Sequence, residues 1–171
     1  MIHNISLPPG QYGTGCIDAL FTNTLDVDCH PELSDLAGVA VSSHLLIDRQ
    51  GKITQYVPLN RRAWHAGVSC FQGVKNCNDF SIGIELEGVD DNPYTPIQYS
   101  SLISVTTLLL QIVPRISLTS LAGHCEIAPG RKTDPGPAFD WPLFLRSLLT
   151  QPDFARPMAQ DADGTGESRV S

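Results

Sequence analysis

Basic clusters, long apolar runs and paired cysteine motifs are all missing from this chain. Its 11 Lys and Arg are outnumbered by 18 Asp and Glu, for a net charge of −7. The cations are scattered, so neither nucleic acid nor an anionic membrane is an expected partner. No stretch approaches the ~18 consecutive apolar residues of a membrane span. The opening Met-Ile-His-Asn-Ile-Ser has no basic segment followed by an apolar run, so the chain as written carries no secretory leader and its expected location is cytoplasmic. The five cysteines form no CxxC and no even framework, and a chain of this length needs no disulfide staples, so reduced thiols are expected.

What is present suffices for one domain. At 171 residues and 42% apolar content, a second full domain would leave too little chain for either core. Residues 1 to 40 are rich in Pro, Gly, Asn and Asp and read as ordered loop, of the kind that lines a site, with a short helix around Cys16 to Thr22. Runs from Ser43 to Ile47 and from Ile53 to Val57 flank the turn-forming Asp48-Arg49-Gln50-Gly51 and predict a β-hairpin. Residues 80 to 87 alternate, placing Ile82, Ile84 and Leu86 on a core face and Ser81, Gly83, Glu85 and Glu87 on a polar face. A mid-strand carboxylate beside a glycine suits the floor of a cleft.

Thr95-Pro96-Ile97-Gln98 supplies an N-cap, a first-turn proline and a capping Gln, predicting a helix that ends near Pro114. Its apolar residues run almost all round, so it should be well buried. Ile116 to Ala122 is a candidate strand delivering His124 at its end, and Asp140 caps a last helix reaching Leu149, with Phe139 and Phe144 as a hydrophobic staple. Residues 1 to 150 thus form the expected domain, and from Gln151 to Ser171 the composition predicts a disordered tail.

The densest chemistry lies between Gly123 and Pro137, where His124, Lys132 and Asp134 share a segment stiffened by three prolines. His124 and Asp134 offer ligands to a borderline-soft cation such as zinc, and Lys132 places a positive charge beside them. A third ligand is normally required, and His3, His30, His44 and His65 are all available; spacing alone does not choose. Cys125 is a rival, although at a strand end its side chain would point away from that of His124.

Four segments break the tie: His3-Asn4-Ile5-Ser6-Leu7-Pro8-Pro9-Gly10, Arg62-Ala63-Trp64-His65-Ala66-Gly67-Val68, the stretch from Asn78 to Gly88, and Gly123 to Pro137. Together they resemble the zinc N-acetylmuramoyl-L-alanine amidases of the AmpD type, in order from His3 to about Phe144. The resemblance implies a single α/β domain with a mixed central sheet flanked by helices, related to phage-type amidases and peptidoglycan recognition proteins. It implies that His3, His124 and Asp134 hold Zn²⁺, that Glu85 is the catalytic carboxylate and that Lys132 sits over the reacting carbonyl. It further implies a muropeptide substrate, preferentially of the 1,6-anhydro form, cut between N-acetylmuramic acid and L-alanine in cytoplasmic cell-wall recycling by a monomer. Asn4, Trp64, His65 and Arg131 fall inside the matching motifs as candidate substrate contacts, the indole as a stacking face and the guanidinium on a peptide carboxylate.

Other readings stay alongside. His30 and His44 read as ordinary structural histidines, and Glu87 as a solvated carboxylate at a strand end. A fragment-binding protein that has lost catalysis and an amidase of intact peptidoglycan are the alternative functions, although no wall-binding repeats are visible. Because only Met1 and Ile2 precede His3, too few for a strand leading into it, that ligand is expected on a fraying end. The natural chain is therefore expected to start upstream, or this chain to be a fragment, with an export signal conceivable in the missing piece.

Overall fold

The computed structural model describes residues 1–151; all but the first residue of the expected disordered tail lies outside them. At the centre is a four-stranded sheet built from β1 (Ile2–Ile5), β2 (Leu45–Ile47), β3 (Ile53–Gln55) and β6 (Ile84–Glu87), in the order β1-β6-β2-β3. β1, β6 and β2 run parallel, and β3 returns antiparallel to β2 as the expected hairpin. Its turn closes on Asp48, whose Oδ1 accepts from Gln50 N and Lys52 N, both at 2.9 Å. A separate two-stranded ribbon pairs β4 (Cys70–Phe71) with β5 (Val74–Lys75).

The pleat sorts side chains onto two faces. Ile2, Ile84, Leu45, Leu86 and Ile47 join a core with α2 (Pro96–Ile112) and α4 (Trp141–Leu149), while Leu46 packs on the opposite face against α1 (Cys16–Phe21) and Leu33. The molecule is thus a single α/β domain with a mixed sheet between helical layers. α2 starts where the capping pattern placed it, with Thr95 Oγ1 accepting from Gln98 N and the Gln98 side chain accepting from Thr95 N. Gln98 is fully buried, and its Nε2 donates to the carbonyls of Ile47 and Glu87, tying the ends of β2 and β6 to the helix. α2 is less buried than its composition predicted: Ile97, Leu108 and Ile112 are each about half exposed. In a single domain this small the helix covers the sheet with one face only. α4 is capped by Asp140, and Phe139 meets Phe144 edge to face at 5.7 Å, as the staple pattern predicted.

Two expectations need correction. Residues 116 to 122 form no strand. Leu118–Ser120 is a 3₁₀ turn, and α3 (His124–Ile127) begins at the ligand itself. Ser117 and Ser120 bond each other's hydroxyls, and Ser120 Oγ accepts from Ser117 N, so side chains take up backbone groups that a ladder would need. His3 is also not on a fraying end. β1 pairs with β6 along its whole length, Ile84 N donates to Met1 O, and Ile2 N donates to Ala122 O. The register sets His3 beside Glu85 and Glu85 beside Leu46, so both polar groups project to the α1 side of the sheet.

Candidate active site

On that side, Trp64, His65, Glu85, His124, Lys132 and Asp134 line a concavity of about 300 Å³, walled by Phe21, Leu36, Val39 and Val41 from the loop-rich opening segment. A larger cavity of about 400 Å³ lies beside α2, among Leu59, Phe80, Ile82, Leu109 and Val113. Its lining is mostly apolar and holds none of the candidate ligands, whereas His124 and Asp134 both line the smaller one.

Three elements bring the ligands together. β1 supplies His3, the first turn of α3 supplies His124, and the loop after α3 folds back so that Cys125 N donates to Asp134 O at 2.9 Å. One donor atom from each of His3, His124 and Asp134 lies within 4.8 Å of the others, the one such cluster among the described residues. His124 Nδ1 is 3.0 Å and His3 Nδ1 3.4 Å from Asp134 Oδ2. All three residues are buried, and His3 Nδ1 has no hydrogen-bond partner. A buried nitrogen without a partner costs free energy, and three potential ligand atoms gathered at one point are what a cation can hold together. The trio therefore fits a metal ion.

Electrostatics agree with that assignment. Burial, reinforced by neighbouring His124, pulls His3 down to about 4 and keeps it neutral. For Asp134 burial pushes upward, but the closely placed imidazoles of His124 and His3 outweigh it and hold the carboxyl well below the usual range. Glu85 moves the other way, raised by burial and then by Asp134, with Lys132 opposing. Its Oε2 is buried without a partner. A carboxyl with raised proton affinity beside a candidate ligand trio can act as acid and base.

Lys132 lies exposed at the rim of the same concavity. Trp64 is 58% exposed, with the Arg62 guanidinium 3.6 Å over its ring. Asn4 and Arg131, expected at the substrate, are both engaged by other groups of the protein, Arg131 while remaining exposed. The Asn4 amide nitrogen donates to Asp90 Oδ1 at 2.8 Å and also reaches Tyr94 Oη and Pro135 O, clamping the ligand loop to β1. Arg131 Nη2 donates to Ala66 O at 2.6 Å and Val68 O at 2.8 Å. His65 faces the metal trio: its Nδ1 is 2.9 Å from His3 Nε2.

Cys125 stays out of the trio for a reason other than strand pleat. It sits inside α3 against Gly123, and burial, with Glu126 and Asp134 adding, raises its thiol away from the thiolate form. Buried His44 accepts from Gly83 N and donates to Arg61 O, a structural role. Glu87 is not solvated: it is 4% exposed and accepts from Gly13 N and Arg49 N. Sequence reasoning placed Ser81 on the polar face without its contact to His65, and missed Asp90 and Tyr94. Only the glycine at 83 signalled that a side chain comes close to the strand.

The family profile for N-acetylmuramoyl-L-alanine amidase matches residues 13–137. The chain is 59% identical over 149 residues to the 1,6-anhydro-N-acetylmuramyl-L-alanine amidase AmpD of Salmonella typhimurium (strain SL1344), spanning 87% of this chain and 79% of that protein. The crystal structure of a Se-Met AmpD derivative superposes with a TM-score of 0.84 at 55% identity, covering 86% of this chain and 82% of the other. The complex of the Escherichia coli amidase AmiD with anhydro-N-acetylmuramic acid-L-Ala-D-gamma-Glu-L-Lys matches at 31% identity and a TM-score of 0.59, over 85% of this chain and 55% of that one.

Proposed function

The chain belongs to the N-acetylmuramoyl-L-alanine amidase family and acts in muropeptide recycling on the amide between 1,6-anhydro-N-acetylmuramic acid and L-alanine; from that premise we propose that the concavity around Glu85, His124 and Asp134 is its reaction site and that zinc is its ion. The observation that carries the reading is the partnerless His3 Nδ1, aimed with His124 and Asp134 at one point, in the same pocket region as a partnerless carboxyl oxygen. Two imidazoles and one carboxylate are the donor set of hydrolytic zinc with a position left open. When bound, that ion supplies Lewis acidity to a water and to the scissile carbonyl.

The protein's own groups do the rest. Glu85, once ionised, takes the proton of the attacking water and returns it to the departing alanine nitrogen, which its raised affinity for protons favours. Lys132 holds the charge that develops on the carbonyl oxygen. Trp64, covered on one face by Arg62, presents the other to the sugar. We place this reaction in the cytoplasm and assign it to a monomer. Among the described residues no helix is long and apolar enough to cross a membrane.

The test incubates metal-quantified protein with anhydro-muramyl tripeptide and, separately, with intact sacculi, following peptide release by mass spectrometry. Release from the tripeptide that stops on chelation and returns with zinc is expected. Binding without release would instead identify a fragment-binding module, and preferential release from sacculi an enzyme of the intact wall.

A further inference from the structure

Gly83 sits on the polar face of the sheet, two residues before Glu85, and the space above it is filled. A Cβ built there would fall 2.4 to 2.7 Å from the Cγ, Nδ1 and Cδ2 atoms of His65. Glycine at this position lets an imidazole lie flat against the strand. The strand cannot shift aside to admit a larger residue. Gly83 N donates to His44 Nδ1 at 3.0 Å, its carbonyl accepts from His44 N and Leu45 N, and His44 Nε2 is fixed on Arg61 O.

Proton counting shows what the lodged ring does. Ser81 Oγ donates its only hydrogen to Cys77 O at 2.6 Å, so toward His65 Nε2, 3.4 Å away, it can only accept. His65 therefore carries its hydrogen on Nε2, which leaves a lone pair on Nδ1. That lone pair faces His3 Nε2 at 2.9 Å, so His3 is the donor there and its own hydrogen lies on Nε2. The remaining lone pair of His3 is on Nδ1, the atom that points at Asp134 and has no partner. One chain of hydrogen bonds, begun at the Cys77 carbonyl, thus sets the ligand tautomer of His3.

We infer that His65 is a positioning residue for the metal ligand His3, fixing its ring and tautomer through the Nδ1···Nε2 hydrogen bond, and that Gly83 is the seat that holds His65 in place. This reassigns His65 from substrate contact to ligand support. It rests on the metal reading above and on no property of the substrate.

The experiment compares His65→Asn with His65→Leu, side chains with the same heavy-atom branching of which only the first offers an oxygen near the place of Nδ1. Metal dissociation constants are measured by chelator competition, and the cobalt-substituted proteins are compared by visible absorption. The leucine variant should bind metal about 10- to 100-fold more weakly, the usual cost of losing such a partner, with an altered cobalt spectrum. The asparagine variant should stay within a few-fold of the parent. Gly83→Ala should weaken metal binding similarly, and in combination with His65→Leu add little, since both act through one ring. Unchanged metal affinity in His65→Leu, with a rise in KM alone, would overturn the inference and return His65 to the substrate. A parent protein that binds no metal would sink the metal reading itself, an outcome distinct from a parent that binds and a leucine variant that does not differ.

Discussion

Strand β6 carries two carboxylates on one face, two residues apart, and they meet opposite fates. Glu87, 4% exposed, has both oxygens engaged by backbone N–H groups, from Gly13 at 2.6 Å and from Arg49 at 3.1 Å. It fastens the loop before α1 and the hairpin turn to the end of the sheet. Glu85, 8% exposed, keeps Oε2 buried and partnerless. Leaving such a group unmade costs about 1–3 kcal/mol, a cost that the satisfied carboxylate avoids. Similar burial with unequal satisfaction separates a carboxylate that holds the fold from the one we propose reacts.

The comparison is tested hardest by removing each carboxylate in turn. Glu85→Ala should lower kcat by about 10²–10⁴-fold, as for loss of a general acid–base group, while bound zinc measured by elemental analysis stays stoichiometric. Simultaneous loss of metal would make Glu85 a ligand and end its distinction from the trio. Lys132→Ala should cost about 10²–10³-fold in kcat, with metal content and melting temperature unchanged because the side chain is exposed at the rim. Glu87→Gln should behave in the reverse sense. An amide cannot accept from both Gly13 N and Arg49 N, so a loss of about 1–3 kcal/mol is expected, seen as a melting temperature lower by several degrees. Turnover per folded molecule at low temperature should be retained. A catalytic defect there without destabilisation would erase the contrast between the two sites.

Much of this was legible where local rules act over a few residues. The Asp48 turn, the Thr95–Gln98 capping box and the Asp140 cap each came from side chains bonding backbone within four positions. The alternation around Glu85 likewise fixed which residues share its face. What could not be read is chemistry made across the fold. Asn4 meets Asp90 and Pro135, and Arg131 meets Ala66 and Val68, because β1 and the ligand loop converge in space. No periodicity encodes those separations, so both residues looked free for substrate. Glu87 looked solvated for the same reason, its partners lying at residues 13 and 49. The segment from 116 to 122 failed differently: its apolar residues suggested a strand, but its serines closed a turn.

The smallest expected effect concerns proton linkage in metal-stripped protein. Burial, with Asp134 adding to it, raises the Glu85 carboxyl well above its ordinary 4.5. Between that ordinary value and the raised one, the folded state holds a proton that the unfolded state has released. The associated stability is therefore complete below 4.5 and is lost as pH climbs through the raised value. Asp134 works in the opposite sense: its carboxyl, held below the ordinary 3.8, contributes stability present above that value and lost as pH falls. Glu85→Gln removes the first effect and leaves the second. Across about pH 5 to 8, melting temperatures of the stripped parent should fall relative to those of Glu85→Gln, so that the inactive variant is the more stable one at neutral pH by a few degrees. Parallel curves for the parent and Glu85→Gln would mean that the Glu85 carboxylate is satisfied in solution.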